Sequence, residues 1–558
     1  MMISNDYENS GQKVNVALRL RTMARIQPYR RAVVYPAGRD HNGRVAYSHL
    51  TFRQLDRESD CFAHGLEAAG IRRGTRTILM VRPSLELFAI IYAMLKVGAV
   101  FVLVDPGMGV RRMLACLQES KAEALIGIPP AHLLRTLRPK YFKGVKKAVT
   151  IGRRWFWGGL TLKDIRRLPW QPYTISNTGK DEMAAILFTT GSTGAAKGAI
   201  YTHGVFDAQV RFIKSQFAIS PDEIDLPTFP LFSLFDAALG MTAIIPDMDP
   251  TRPAHVDPNK IIEAVLNHGV TNMFASPALL NRVGRYGKAH NIKLPSLKRI
   301  ITSGAPVSPA NLAQFSTMLE EDAEIHTGYG ATEAMPVSSF GSKEILSETA
   351  QLTEKGYGMC VGRPIQALAM QIIRISDGPI ESWSDDLVVP DGEIGEIAVY
   401  GDIVTQGYFE RPLEDKNSKI RSGDRYWHRM GDLAWKDKKG RIWYCGRKSH
   451  RVVTPQGTLF TIPCEAIFNN HLSVFRSALV GLGRAPRQRP AVCIELEPDQ
   501  RNIDTQKLIQ ELRQLAAANP LTEKIDTFLV HAGFPVDIRH NSKIFREKLA
   551  VWAEKRAG

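Results

Sequence analysis

Residues 85–104 are the most apolar stretch of the chain, and they narrow the folds open to it. Their length approaches the roughly 20 residues that span a bilayer. Two charges, Glu86 and Lys96, interrupt the stretch, and Gly98 divides it. The pattern therefore predicts a buried helix over 85–97, a turn at Gly98 and a buried strand over 99–104 that stops at Asp105-Pro106. The same rhythm recurs nearby. Thr51 precedes a helical pattern that runs to Ala69 and stops at Gly70; strands are expected at 77–81 and around 122–128. Helices alternating with short buried strands imply parallel sheets with crossover helices, an α/β fold. At 558 residues the chain is too long for one core, so two or more domains are expected.

A second strand carries chemistry. The apolar run 184–188 empties into Thr189-Thr190-Gly191-Ser192-Thr193-Gly194-Ala195-Ala196-Lys197. Glycines let backbone N–H groups turn toward an anion, hydroxyls add rotatable donors and lysine adds charge. This suits a polyphosphate. It is not a Walker A loop: Ala196 takes the place of a glycine, and Gly198 follows the lysine where Ser or Thr would hold magnesium. A Gly/Ser/Thr cluster is ordinarily a flexible surface loop; the launching strand and the closing lysine favour phosphate. Further on, Gly328-Tyr329-Gly330-Ala331-Thr332-Glu333 combines a flat ring, a glycine for close approach, a hydroxyl and a hard oxygen ligand. Adenine, phosphate and magnesium require those groups.

Thr189 to Lys197 match, position for position, the AMP-binding signature of the adenylate-forming enzymes, which include acyl-CoA synthetases, luciferases and peptide-synthetase adenylation domains. Tyr329 to Glu333 resembles the same family's second motif, YGxTE. With Asp432, Arg447 and Lys543, the resemblance covers about 45–550. It implies ATP and Mg²⁺ as cofactors. Nucleotide contacts would come from Thr189, Thr190, Gly191, Ser192, Thr193, Gly194 and Lys197, and from Gly304-Ala305-Pro306. Adenine would stack on Tyr329 beside Gly330; Thr332 would meet phosphate, Glu333 magnesium, Asp432 the ribose and Arg447 the phosphate. Lys543, in Ser542-Lys543-Ile544, would neutralise charge as carboxylate and α-phosphate react, making Lys543, Thr332 and Glu333 the catalytic set. A fatty-acid-like substrate would lie along Phe229, Phe232, Ser233, Phe235, Phe274 and Pro277. The implied architecture is a large N-terminal domain, 1–446, of parallel and mixed sheets flanked by helices plus a β subdomain. A small, mobile α/β C-terminal domain, 447–558, would follow.

The chain departs from the family where the second half-reaction is controlled. Ser233 stands where a histidine is common, Ser449 where an Asp or Lys hinge is usual, and Val453 where a lysine is common. The wording at 228–235, 327–339 and 537–543 is similar to the olefin β-lactone synthetases. In those enzymes the hydroxyl of an activated β-hydroxy acid displaces AMP and closes a four-membered ring without CoA. Two alternatives stand beside that outcome: a long-chain fatty acid–CoA ligase, which alone would use CoA, and a nucleotide-gated lipid-binding subunit without turnover. A binder would not require Thr332, Glu333, Asp432, Arg447 and Lys543 together.

Net charge is +16, which attracts polyanions without choosing among them. No Cys/His finger and no RNP-like aromatic pattern accompanies it, so nucleic acid is not an expected partner. Over 140–157, Lys140, Lys143, Lys146, Lys147, Arg153 and Arg154 interleave with Tyr141, Phe142, Trp155, Phe156 and Trp157. This mixture fits a solvated loop with inward aromatics, or a peripheral contact with an anionic membrane or an enzyme partner. The six cysteines are scattered without a CxxC pair, and 1–14 has no apolar leader, so a cytoplasmic location, with or without such a contact, is expected.

Overall fold

The computed structural model describes residues 13–189, 196–229, 232–498, 500, 503–536 and 544–557. Thr190 to Gly194 and Lys543, each assigned a role above, lie outside the described residues.

Helix Leu85–Val97 forms as the sequence predicts, between a Ser84 cap that accepts from the Leu87 amide and Gly98 in the left-handed region at φ 77°. It is buried along nearly its whole length, Lys96 included. That cation is tolerated because Asp56 and Asp60 of helix Phe52–Ala68 each approach its Nζ to 2.6 Å, with Arg21 ion-paired to both acids. Thr51 opens helix Phe52–Ala68 with a capping box to Gln54. None of the helices described is long and apolar enough to cross a membrane.

Two large sheets frame the N-terminal part. In the first, seven strands run in the order Leu160–Thr161, Lys147–Thr150, Ala124–Gly127, Arg76–Met80, Val100–Val104, Met183–Thr189, Lys197–Thr202. All neighbours are parallel except the last pair. The second sheet has nine strands, with a parallel centre of Glu324–Ala331, Arg299–Ser303, Asn272–Ala275, Ile224–Pro227, Thr242–Ile244 and Arg31–Arg39. Antiparallel strands close both of its edges. Helix Leu85–Val97 belongs to the core cluster that joins the two sheets. A six-stranded antiparallel sheet built on Gly395–Tyr400, Arg425–Lys436 and Ile442–Arg447 follows. A smaller α/β unit then sets strands Val474–Leu482, Arg489–Leu496 and Thr527–Val530 against helices Thr461–Asn469, Thr505–Ala517 and Arg546–Ala557. The chain is thus a large mixed-sheet N-terminal domain plus a small C-terminal α/β domain.

In open α/β sheets, ligands collect at the carboxyl ends of the parallel strands. Here both sheets obey that rule toward one space. Val81 and Arg82, Asp105, Ile128, Thr228 and Phe229, Ser276 and Gly304 each follow a parallel strand, and all line the same cavity.

Candidate active site

The cavity measures about 1430 Å³ and has two chemically distinct ends. The first is organised by the hairpin Glu324–Ala331/Ala334–Gly341, with Thr332 and Glu333 at its tip. Gly330 is required there: a Cβ would meet the Ala334 carbonyl oxygen at 2.8 Å. The Tyr329 hydroxyl donates to Asp432 Oδ2 at 2.6 Å, which orients the ring. Arg447 Nη1 donates to Asp432 Oδ1 and to the Met430 carbonyl, both at 3.0 Å. Asp432 and Arg447 face each other across adjacent strands of the antiparallel sheet, so strand register places the pair. The Asp432 carboxylate beside Arg447 pushes the guanidinium pKa up, and burial raises the Tyr329 phenol well above its ordinary value, so the guanidinium stays charged and the phenol neutral.

Sequence reasoning missed the groups that hold Glu333. The Tyr408 hydroxyl donates to Glu333 Oε1 at 2.5 Å. The Thr405 amide donates to the Glu333 carbonyl at 2.8 Å, and the buried Lys419 Nζ donates to the Thr405 carbonyl. Burial lowers the Lys419 pKa to about 8, opposed by Glu333 and Asp415. Lys197 Nζ stands 5.0 Å over the Tyr408 ring, beside the nucleotide end but not among the lining residues. No local pattern links Tyr408 to a residue 75 positions earlier; the tertiary fold alone brings them together. Tyr201, whose hydroxyl donates to the Thr332 carbonyl at 2.6 Å, was hidden for the same reason.

The second end is apolar. Phe232 and Phe274 stack at 4.1 Å, Phe229 meets Phe232 edge-on at 5.5 Å, and Phe235 approaches Phe232 at 6.4 Å. The wall continues over Leu79, Phe88, Ile91, Phe101 and Leu103, then Met113 and Leu134. The structure corrects two of the expected pocket residues. Ser233 is the first residue of helix Ser233–Leu239 and is fully buried away from the cavity surface. Pro277 is the buried first residue of helix Pro277–Ala289, and its Ser276 cap lines the cavity instead. His203, a further histidine near the phosphate loop, starts helix His203–Gln216 and is buried, its pKa lowered to about 4 by desolvation.

The structure thus gathers Gly304, Ala305, Pro306, Tyr329, Gly330, Thr332, Glu333, Asp432 and Arg447 at one end, and Phe229, Phe232, Phe235 and Phe274 at the other. The C-terminal part contributes His450, Thr461, Ile462, Ile544 and Arg546 to the same wall. The polar end fits ATP with magnesium. Asp432 keeps a second lone pair on each oxygen for ribose hydroxyls. Glu333 presents a carboxylate to the cavity, and one carboxylate is a usual protein share for magnesium carried on phosphates. No cluster of three or more His, Cys, Asp or Glu side chains able to hold a metal by itself occurs among the described residues. Bound there, magnesium would neutralise phosphate charge, while the chain's own residues would orient the base and ribose and enclose the acyl group.

The AMP-binding enzyme family model matches residues 20–409. Two curated proteins named olefin beta-lactone synthetase are similar over almost their full length. That of Xanthomonas campestris pv. campestris is 45% identical over 97% of both chains; that of Stenotrophomonas maltophilia is 46% identical over 97% of this chain and 99% of its own. Among solved structures, an anthranilate CoA ligase in complex with anthranoyl-AMP superposes with a TM-score of 0.77 at 17% identity, covering 99% of each chain. The amide bond synthetase of Marinactinospora thermotolerans gives 0.77 at 19% identity over 96% of this chain and 99% of its own. These structures share the two-domain fold. The chain belongs to the AMP-binding family: it is an adenylate-forming ligase that uses ATP and Mg²⁺ to convert a carboxylic acid to its acyl-adenylate.

Proposed function

We propose that this enzyme activates a long-chain β-hydroxy acid and then closes it to a β-lactone with release of AMP. The observation that carries this reading is the 45–46% identity, over nearly the whole chain, to two proteins named olefin beta-lactone synthetase. The apolar end of the cavity supports a lipid-like acid. A carboxylate is already a nucleophile at neutral pH, so the first step needs relief of anion repulsion rather than a base. Thr332, Glu333, Lys197 and Lys543 are the proposed residues for it; Ile544, next to Lys543, lines the cavity. Asp432 and Tyr329 hold ribose and adenine in this reading, and Arg447 reaches the phosphate.

Ser449, in place of the Asp or Lys usual at the family's hinge, supports closure without CoA. We place the domain boundary at 446/447. The following residues are tied to the antiparallel sheet: Lys448 Nζ donates to Glu396 Oε2 at 2.9 Å, and Arg451 pairs with Asp377 at 2.6 Å. Intramolecular attack needs no second substrate, and effective molarities of well-placed groups are very large. A peripheral contact through 140–157, with an anionic membrane or an acidic partner, also belongs to this proposal. Trp155 and Phe156 are exposed there, whereas Phe142 and Trp157 pack inward.

The deciding experiment incubates the enzyme with ATP, Mg²⁺ and a β-hydroxy fatty acid, with and without CoA, and identifies products by mass. Lactone independent of CoA is expected, with plain fatty acids stalling as adenylates. Efficient acyl-CoA formation from a plain fatty acid, with no lactone from its β-hydroxy counterpart, would replace this reading with a ligase.

A further inference from the structure

The hairpin tip that carries Thr332 and Glu333 is pinned at two successive carbonyls. The Tyr201 hydroxyl donates to the Thr332 carbonyl at 2.6 Å, and the Thr405 amide donates to the Glu333 carbonyl at 2.8 Å. With the main chain held at both residues, the Glu333 side chain is what remains to be fixed. Tyr408 supplies that contact, its hydroxyl 2.5 Å from Glu333 Oε1. Burial and the neighbouring carboxylate push the Tyr408 phenol pKa far up, so the hydroxyl keeps its proton and donates. A bond from a hydroxyl to a charged carboxylate is short and strong. It takes one of about four lone-pair sites on the carboxylate and leaves the others open to a cation.

The Tyr408 backbone is as firmly set. On either side of it the Ile200 amide donates to the Gly407 carbonyl at 3.1 Å and the Phe409 amide donates to the Gly198 carbonyl at 2.8 Å. Its own amide donates to Asp415 Oδ1 at 2.8 Å. Residues 407–409 thus run beside strand Lys197–Thr202, which leaves the phosphate-loop motif. The ring therefore meets the lysine that closes that motif: Lys197 Nζ lies 5.0 Å from its centroid, within the range of cation–π attraction. The buried Lys419 Nζ, 6.0 Å from the same ring, donates to the Thr405 carbonyl and so braces the loop that holds Glu333. A phenylalanine at 408 would fill the same place in the core; the hydroxyl is the part of Tyr408 that reaches Glu333.

We propose that Tyr408 is a positioning residue that joins the two halves of the triphosphate site: its hydroxyl holds the Glu333 carboxylate in the orientation that receives magnesium, and its ring seats the Lys197 ammonium. The assignment rests on the reading of Glu333 as the magnesium ligand and of Lys197 as a phosphate contact. Tyr408 itself acts only through those two side chains. Groups that orient a metal-binding carboxylate typically change metal affinity by about 10–100-fold when removed.

The test is a magnesium titration of the binding of a non-hydrolysable ATP analogue, followed by calorimetry, in wild type, Tyr408→Phe, Tyr408→Leu and Glu333→Ala. Tyr408→Phe should raise the magnesium midpoint by about tenfold or more. At saturating magnesium its affinity for the analogue should stay within about twofold of wild type, because the ring remains. Tyr408→Leu should show the same midpoint shift and also lose about threefold or more in affinity at saturating magnesium, because Lys197 loses its seat. In a Glu333→Ala background, Tyr408→Phe should shift the midpoint no further. A merely structural tyrosine would lower thermal stability and affinity without moving the midpoint. A Tyr408→Phe titration that overlays the wild type, with Glu333→Ala displaced, would overturn the proposal. Glu333→Ala overlaying the wild type would instead overturn Glu333 as the ligand, and this assignment with it. Equal affinities of Tyr408→Phe and Tyr408→Leu at saturating magnesium would strike Lys197 from the assignment. Should Tyr408→Leu not fold, pentafluorophenylalanine at position 408 replaces it: the ring keeps its shape, the charge of its face is reversed, and the same loss relative to Tyr408→Phe is expected.

Discussion

The two ends of the large cavity are built by opposite means. The nucleotide end is a set of directed polar contacts: Tyr329 to Asp432, Asp432 to Arg447, Tyr408 to Glu333. Each depends on a particular functional group at a particular strand position, so one substitution changes the chemistry. The acyl end is a surface assembled from short contributions of both sheets and of helices Leu85–Val97, Val110–Glu119 and Pro129–Leu137, with aromatic rings packed on one another. Its members are interchangeable within limits of volume. In the proposed reading the difference means that reaction type and substrate length are specified independently: a few polar atoms would set the first, and collective shape the second.

Four experiments test that division. The largest effect belongs to Lys543→Ala, which should reduce pyrophosphate exchange by about 3 kcal/mol or more while ATP still binds, because the proposed role of Lys543 is to neutralise charge as the reaction proceeds. An unchanged exchange rate would place the catalytic cation elsewhere. Next, Asp432→Ala leaves Arg447 and Tyr329 without their shared acceptor. It should weaken ATP by about 2 kcal/mol and leave the KM for the acid nearly alone. Equal losses for both substrates would mean that the two ends are coupled.

Phe274→Ala reverses the question. It should raise KM for long acids by a factor equivalent to about 1–2 kcal/mol, spare short ones, and leave ATP untouched. A defect independent of chain length would remove Phe274 from the chain-binding wall. The smallest effect concerns 140–157: Arg153→Gln with Arg154→Gln should weaken sedimentation with anionic vesicles by about 1 kcal/mol per charge at low salt, and less as salt rises. Failure of the wild type to bind such vesicles would return the segment to ordinary solvated surface or to a protein partner.

The same division explains what could be read from the chain beforehand. Helix Leu85–Val97 with its Gly98 stop, and helix Phe52–Ala68 behind Thr51, follow local periodicity and capping, and they appear close to where the sequence places them. Tyr329, Glu333, Asp432 and Arg447, singled out by their motifs and the family resemblance, lie on the wall of one cavity. The partners Tyr201, Tyr408 and Lys419 were not legible, since their roles arise from strands that pair across long separations. Ser233 and Pro277 lie off the cavity lining for a related reason: sequence proximity to phenylalanines does not say which face of a helix start meets the cavity.

A void of about 1430 Å³ also has a mechanical consequence. The part of it whose apolar walls hold water poorly makes the folded form the larger-volume state, so hydrostatic pressure works against it. This enzyme should therefore unfold at lower pressure than a well-filled protein of its size, and a long acyl-adenylate lodged in the cavity should restore its resistance. The volume change of unfolding, followed by tryptophan fluorescence under pressure with and without acid and ATP, would then report how much of the cavity the chain fills.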